Sequence, residues 1–353
     1  MPHDFLHPTV DFNGASLLVT GGTGSFGRHF VRRVLQRFQP RRVVVFSRDE
    51  QKHMAMMRDP DFRGRPEIRF FIGDVRDRDR LEQAMSGIDY VVHAAAMKHI
   101  DIAEYNPFEC VRTNIIGAEN VARAALANEV KRVIALSTDK ACNPVNLYGA
   151  SKLASDKIFI AANNLVGLHP TRFSVVRYGN VVGSAGSVVP YFRELIAAGA
   201  DHLPITDARM TRFWITLTQS VDFVLSSFAL MRGGEVFIPK IPSTTVLDLA
   251  RAVAPHLPTR VIGLRPGEKL HEAMISADDA RNTVDLQDRY AIEPTIDFFG
   301  RERFETAVPV GENFIYSSDN NTDWLDAEGF RQLLARADLA EAAGRADMGG
   351  RAI

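Results

Sequence analysis

The chain has 353 residues, of which 42 are Lys or Arg and 43 are Asp or Glu; a net charge of -1 gives no basic footprint for nucleic acid or an anionic lipid surface. Its two cysteines, Cys110 and Cys142, are too few for a disulfide framework and fit a reducing compartment, so a cytoplasmic location is expected. The N-terminal stretch lacks a basic segment followed by an apolar core, and no run reaches the roughly 18 apolar residues of a membrane span, so neither secretion nor a membrane contact is expected.

Apolar runs recur along the first half: Leu17-Leu18-Val19, Val43-Val44-Val45-Phe46, Ile68-Arg69-Phe70-Phe71-Ile72, Tyr90-Val91-Val92, Val133-Ile134-Ala135-Leu136 and Phe173-Ser174-Val175-Val176. Helical patterns separate them. In the first gap Phe30, Val34 and Phe38 with Val31 and Leu35 form one stripe, while Arg28, Arg32, Arg33 and Arg37 lie mostly off it. Buried strands alternating with amphipathic helices predict an α/β fold, a Rossmann-like doubly wound parallel sheet. After about residue 180 prolines 190, 204, 239 and 242 and shorter runs such as Val236-Phe237-Ile238 and Arg260-Val261-Ile262 loosen the rhythm. The expected division is a dinucleotide-binding domain over 10–180, which some later segments rejoin, and a smaller, irregular α/β substrate domain over 181–335. A stretch over 338–353, rich in Ala, Gly and charge, reads as a flexible tail.

Directly after the first apolar run comes Thr20-Gly21-Gly22-Thr23-Gly24-Ser25-Phe26-Gly27. Gly21, Gly24 and Gly27 permit a tight turn and close approach of backbone to a pyrophosphate at a helix N-terminus, so the turn, with Thr23, Ser25 and Phe26, is expected to hold a dinucleotide. The end of the second strand, Ser47-Arg48-Asp49 with Lys52, meets the adenosine ribose. Arginine there suits the 2′-phosphate of NADP, whereas an acidic residue reading the ribose suits NAD; Arg48 with Ser47 and Lys52 favours NADP, and Asp49 leaves the other reading open. Asp74 and Val75 are placed at the adenine edge, and Ala94 and Ala95 are small enough for close passage of the cofactor. His93 and His99 have no third ligand at a metal-binding spacing, and no metal is expected. Cys142 is read as a packed thiol and not a nucleophile.

Residues 137–152 carry the chemistry. Tyr148 and Lys152 stand four apart, so on a helix they share a face and the ammonium can lower the phenol's pKa towards working pH. Asp139-Lys140 adds a carboxyl and an amine just after a strand, where ligands bind in open α/β sheets. Ser137, Tyr148 and Lys152 also face the expected cofactor.

With these motifs the chain resembles the extended short-chain dehydrogenase/reductase superfamily and, within it, the UDP-N-acetylglucosamine 4,6-dehydratases that invert C5 and begin pseudaminic acid biosynthesis. The resemblance covers roughly residues 14–334. It rests on Ala94-Ala95-Ala96-Met97-Lys98-His99, the block from Ser137 to Lys152, Arg177-Tyr178-Gly179-Asn180-Val181-Val182-Gly183-Ser184, Met210-Thr211-Arg212-Phe213-Trp214 and Arg265-Pro266-Gly267-Glu268-Lys269. It implies that Tyr148 is the base at the C4 hydroxyl, Thr138 a hydrogen-bond partner of O4, and Lys152 the holder of the nicotinamide ribose. Asp139 would protonate the departing C6 hydroxyl and Lys140 remove the C5 proton, with Tyr148 a candidate to return one. The resemblance also places Lys98, Asn180, Arg212, Arg265 and Glu268 against the nucleotide sugar, the arginines as a diphosphate clamp, and implies a homo-oligomer, up to a hexamer. A nucleotide-sugar 4-epimerase, a C5-retaining dehydratase and a non-catalytic NADP-binding regulator are the alternatives. The Asp139-Lys140 pair is what distinguishes the dehydratase, since the epimerases lack it and the glucose 4,6-dehydratases have glutamate in place of the lysine.

Overall fold

The structure, a computed structural model, describes residues 3–167, 169–184, 186–296, 302–304 and 307–349. The first half alternates strands and helices: β1 (Ser16–Thr20), α1 (Ser25–Arg37), β2 (Arg42–Ser47), α2 (Glu50–Arg58), β3 (Ile68–Ile72), α3 (Arg78–Met85), β4 (Tyr90–His93), α4 (Ile100–Tyr105), α5 (Pro107–Val111), a π-turn (Arg112–Ile116), α6 (Gly117–Ala127), β5 (Arg132–Thr138), α7 (Leu147–Ala162) and β6 (Arg172–Tyr178). The second half is more broken: β7 (Asn180–Val181), α8 (Val188–Ala197), β8 (Leu203–Ile205), β9 (Thr211–Ile215), α9 (Leu217–Leu230), β10 (Val236–Pro239), β11 (Ser243–Thr245), α10 (Val246–Val253), β12 (Thr259–Val261), β13 (Ala273–Ile275), α11 (Ala277–Ala280), β14 (Thr283–Asp285), β15 (Arg289–Ile292), β16 (Val308–Pro309), β17 (Tyr316–Ser317) and α12 (Ala327–Gly349).

The main sheet runs β16-β14-β15-β10-β6-β5-β4-β1-β2-β3. From β3 to β10 neighbouring strands pair parallel, and β15, β14 and β16 extend the far edge antiparallel. Every residue of β1 is buried, as a strand covered by helices on both faces requires. Chain order reverses between β1 and β4, so the ends of these strands, Thr20 and His93, flank the crevice where such sheets bind ligands. This is the doubly wound Rossmann-like α/β fold.

The later strands partition by burial. Val236-Phe237-Ile238 is as apolar as the central strands, and β10 accordingly joins β6 in the main sheet. The run at Arg260 forms β12, whose Val261 is exposed, and pairs with β8 outside that sheet. A second apolar cluster gathers Trp214, Phe192, Leu249, Phe330 and Leu333 from β9, α8, α10 and α12. It packs beside the main sheet; Arg33 and Arg37 of α1 reach the buried Asp222 of α9 at 2.8 and 3.0 Å. The stretch from 338, expected as a flexible tail, continues α12 as helix to Gly349, in keeping with its Ala, Glu and Arg content; residues 350–353 lie outside the described residues.

Candidate active site

A cleft of about 860 Å³ opens at the switch point. The glycine turn forms its floor. Gly21 has φ of +64°, and a Cβ there would sit 3.0 Å from the Ala94–Ala95 backbone; a Cβ on Gly27 would lie 2.4 Å from Gly22 Cα. Side chains are thus excluded where a pyrophosphate has to approach. Helix α1 begins after Gly24 with no side-chain cap, leaving its N-terminus suited to an anion.

Gly21, Thr23, Gly24, Ser25, Phe26, Gly27, Ser47, Arg48, Asp49, Lys52, Asp74, Val75, Ala94, Ala95 and Ser137 all line this cleft. Asp49 caps α2, accepting the Lys52 amide at 3.0 Å, and that hydrogen bond is the main reason its carboxyl lies below the usual range. Arg48 is exposed beside it, 3.8 Å from Asp74. Burial pushes Asp74 up, but hydrogen bonds from Arg76, one at 2.7 Å, outweigh this and hold it low. Thr23 donates to Ser47 Oγ at 2.9 Å, tying the glycine turn to the end of β2.

The opposite wall is the end of β5 and the start of α7. A Cβ on Gly149 would meet the Lys140 carbonyl at 2.2 Å, so only glycine lets the first turn of α7 lie on the 3₁₀ turn Asp139–Ala141. Asn146 caps α7 by accepting the Gly149 amide at 2.7 Å. This contact brings Tyr148 and Lys140 into one cleft with Thr138 and Lys152. Lys140 Nζ donates to Asp139 Oδ1 at 3.0 Å and Thr138 Oγ1 donates to the same oxygen at 2.9 Å. Asp139 is fully buried behind these two and does not line the cleft. Burial alone would push the Lys140 ammonium down, but Asp139 and Glu272 hold it above its ordinary value.

Electrostatics around Tyr148 differ from the sequence expectation. Burial pushes its phenol up to about 12, and the ammonium that chiefly opposes this is Lys140, joined by the Thr138 hydroxyl, and not Lys152. Lys152 is buried and pushed down by desolvation, and its charge is balanced by Asp156, one turn further along α7. Asp156 accepts from Ser137 Oγ at 2.7 Å and pairs with Arg177 at 3.4 Å.

The residues expected at the substrate divide. Lys98, whose ammonium burial pushes down, and Asn180 line the cleft. Arg212 does not: it is buried and donates to the carbonyls of Thr211, Leu270 and Lys269 at 2.7, 3.0 and 2.9 Å, contacts that pin the 269–270 segment to β9. Arg265 and Glu268 also lie off the cleft lining, where Glu268 accepts the Arg265 amide at 3.3 Å across the turn made by Gly267. Asn146 Nδ2 donates to the Gly267 carbonyl at 2.7 Å, which docks this turn onto the start of α7.

Two residues of the site escaped the sequence reading. Asn114, buried in the π-turn, accepts the Met97 amide at 2.8 Å and donates to Met97 O and Ser151 Oγ at 3.0 and 2.9 Å, fixing the Ala94–Lys98 strand end against α7. Glu272, 2 % exposed, lies 3.7 Å from both Lys140 and Lys269. Its only sequence signal is its place three residues after Lys269. Among the described residues no group of three His, Cys, Asp or Glu is arranged to hold a metal. His93 is a structural base, its Nδ1 2.8 Å from Thr20 Oγ1, and burial pushes it down to about 3. Burial pushes the Cys142 thiol up to about 11, as suits an unreactive side chain.

Residues 17–294 match the family described as polysaccharide biosynthesis protein. A protein of Campylobacter jejuni subsp. jejuni serotype O:2 named UDP-N-acetylglucosamine 4,6-dehydratase (inverting) is 54 % identical over 330 residues, 92 % of this chain and 98 % of its own. A Rickettsia bellii protein named UDP-glucose 4-epimerase is 40 % identical over 94 % of this chain and 98 % of its own. The solved structure of Pen from Bacillus thuringiensis superposes with a TM-score of 0.86 at 37 % identity, covering 94 % of this chain and all of that one.

Proposed function

The chain belongs to the polysaccharide biosynthesis protein family and, within the extended short-chain dehydrogenases/reductases, to the inverting UDP-N-acetylglucosamine 4,6-dehydratases; on that premise we propose how its cleft performs this dehydration. The substrate is UDP-N-acetylglucosamine and the product UDP-2-acetamido-2,6-dideoxy-β-L-arabino-hex-4-ulose, the first step of pseudaminic acid biosynthesis. The observation that carries the reading is the hydrogen-bonded Asp139–Lys140 pair beside Tyr148 at the end of β5. Hydride transfer alone needs only the tyrosine; elimination of water needs an acid and a second base.

The glycine turn, with its excluded Cβ positions and uncapped helix, fits a dinucleotide pyrophosphate. We assign NADP, with Arg48, Ser47 and Lys52 around the 2′-phosphate, because Asp49 is committed to capping α2. Lys152 would hold the nicotinamide ribose. The chemistry supplied there, when the cofactor is bound, is reversible hydride transfer, from C4 and back to C6.

The protein's own groups account for the protons. Tyr148 Oη takes the O4 proton as C4 becomes a ketone, which acidifies C5–H. Lys140 rests as an ammonium, and passing one proton across the 3.0 Å contact to Asp139 Oδ1 makes both the amine and the acid that elimination requires. Lys140 Nζ then takes the C5 proton, and Asp139 gives its proton to the Thr138 hydroxyl, 2.9 Å away and lining the cleft, as that hydroxyl passes its own to O6, which leaves as water. Once C6 is a methyl group, Tyr148 would return its proton to C5 from the opposite side, with inversion, and the pair is left in its resting charges. The cycle is redox-neutral and asks for no exchange of cofactor, in keeping with tight NADP retention.

A homo-oligomer, up to a hexamer, is part of the proposal, supported by Tyr105 and Phe108, which α4 and α5 present 88 % and 79 % exposed. A cytoplasmic site of action is supported by the low cysteine count and by the absence, among the described residues, of a helix long and apolar enough to cross a membrane. Proton NMR with UDP-N-acetylglucosamine in deuterated water, without added cofactor, tests the whole reading. A 6-deoxy methyl signal with L-arabino couplings is expected; D-xylo couplings would move the chain to the retaining reaction, and unchanged mass with a galacto product to epimerisation.

A further inference from the structure

Glu272 has no part in the reaction as described, yet it is a buried carboxylate directed at the C5 base. Its Oε1 lies 3.7 Å from Lys140 Nζ, and its Oε2 lies 3.7 Å from Lys269 Nζ with no hydrogen-bond partner among the described residues. Lys269 is itself anchored, donating to the Cys142 carbonyl at 2.7 Å, and Arg212 holds the carbonyls of residues 269 and 270. The segment leading into β13 is therefore fastened to the catalytic turn, and the carboxylate is carried there on a fixed backbone. Burying a charge in this way is costly unless something compensates it, and here two ammonium groups do.

We propose that Glu272 is a positioning residue that sets the strength and aim of Lys140 as the base at C5, a role that rests on the reading of Lys140 given above. When the C5–H bond breaks, its electron pair passes into the enolate of the C4 ketone and its proton bonds to Lys140 Nζ. The positive charge that develops on Nζ then falls between two carboxylates already in place, Asp139 on one side and Glu272 on the other. Such preorganised anions favour the charged product of the proton transfer without any rearrangement. In the amine form, an N–H directed to Glu272 leaves the nitrogen lone pair for the cleft. The charged and titratable groups facing Lys140 are Asp139 from its own turn, Glu272 before β13, Arg212 on β9 and Tyr148 on α7, with Lys269 behind Glu272.

The test is the pH dependence of deuterium exchange at C5 during turnover of UDP-N-acetylglucosamine, with C4 oxidation followed in parallel by nicotinamide absorbance. Exchange at C5 rises with pH as the Asp139–Lys140 pair loses its shared proton and Lys140 becomes a free amine, whereas water loss, which needs that proton, falls. Loss of an anion beside Lys140 weakens the base, so in Glu272→Gln the midpoint should fall by about one to three pH units and the plateau rate should drop, while C4 oxidation is little changed. Lys269→Met removes a cation from the same chain of charges and should move the midpoint the other way, upward. Glu272→Asp should restore part of the wild-type profile. A merely structural role would lower both activities without these opposed shifts; midpoints that stay at the wild-type value, or move in the same direction in both variants, overturn the proposal. Lys140→Met separates the two readings. Exchange that persists in it refutes Lys140 as the base, whereas lost exchange with unshifted Glu272→Gln refutes only the role of Glu272.

Discussion

Lys140 Nζ and Asp139 Oδ1 stand 3.0 Å apart, on adjacent residues of one 3₁₀ turn, so the base and the acid we propose for elimination share a single hydrogen bond. The carboxylate is sealed from the cleft by its own neighbours and the amine is not. A proton can therefore be loaded onto the acid through the base without passing through solvent.

Asp139→Asn keeps the shape of the turn and removes the acid. C4 oxidation should survive while water loss falls about 100- to 10,000-fold, the usual reach of one general acid. Single-turnover nicotinamide absorbance beside the mass of the product separates the two steps. Undiminished dehydration would place the acid elsewhere.

Thr138→Val tests the phenol. Burial pushes Tyr148 up to about 12, and the Thr138 hydroxyl works against this by favouring the phenolate when it turns its hydrogen there from Asp139 Oδ1. Removing it raises the phenol further, so the alkaline rise of the C4 oxidation rate should move to higher pH. The rate at neutral pH should fall about 10- to 100-fold, the size of a hydrogen bond to a charged group.

Arg48→Ala should weaken NADP binding about tenfold or more and leave NAD binding nearly unchanged, because a guanidinium has a phosphate to pair with in only one of them. Titration of the cofactor-stripped protein with each dinucleotide gives the ratio. Equal losses for both would return the ribose to Asp49.

His93 makes stability sensitive to acid. Its folded pKa is lowered by burial to about 3 from 6.5, so between these values the unfolded chain binds a proton that the folded chain does not. Stability is complete above pH 6.5 and is lost as pH falls towards 3, by on the order of 4 kcal/mol at the lower end. Urea midpoints measured from pH 7 to 4 should fall less steeply in His93→Asn than in the wild type. His29, pushed down to about 4, contributes in the same sense and keeps the slope from vanishing.

What could be read in the chain before folding is what depends on neighbours in sequence. The strand rhythm, the glycine turn after β1, the four-residue spacing of Tyr148 and Lys152 and the Asp139–Lys140 dipeptide are local patterns, and strand, turn and helix each follow from a few adjacent residues. Even the return of β10 to the main sheet had a local cue in Val236-Phe237-Ile238, whose full apolarity asks for burial on both faces. The tertiary structure decided which charges meet. That Lys140, and not Lys152, acts on Tyr148 depends on Gly149 letting α7 rest on the Lys140 carbonyl and on Asp156 balancing Lys152. That Arg212 is spent on carbonyls, and that Glu272 comes to face Lys140 across more than a hundred residues of chain, depends on how the 265–272 segment docks on β9 and the start of α7. Coulombic and hydrogen-bond energies fall steeply with distance and burial, and a linear sequence contains neither.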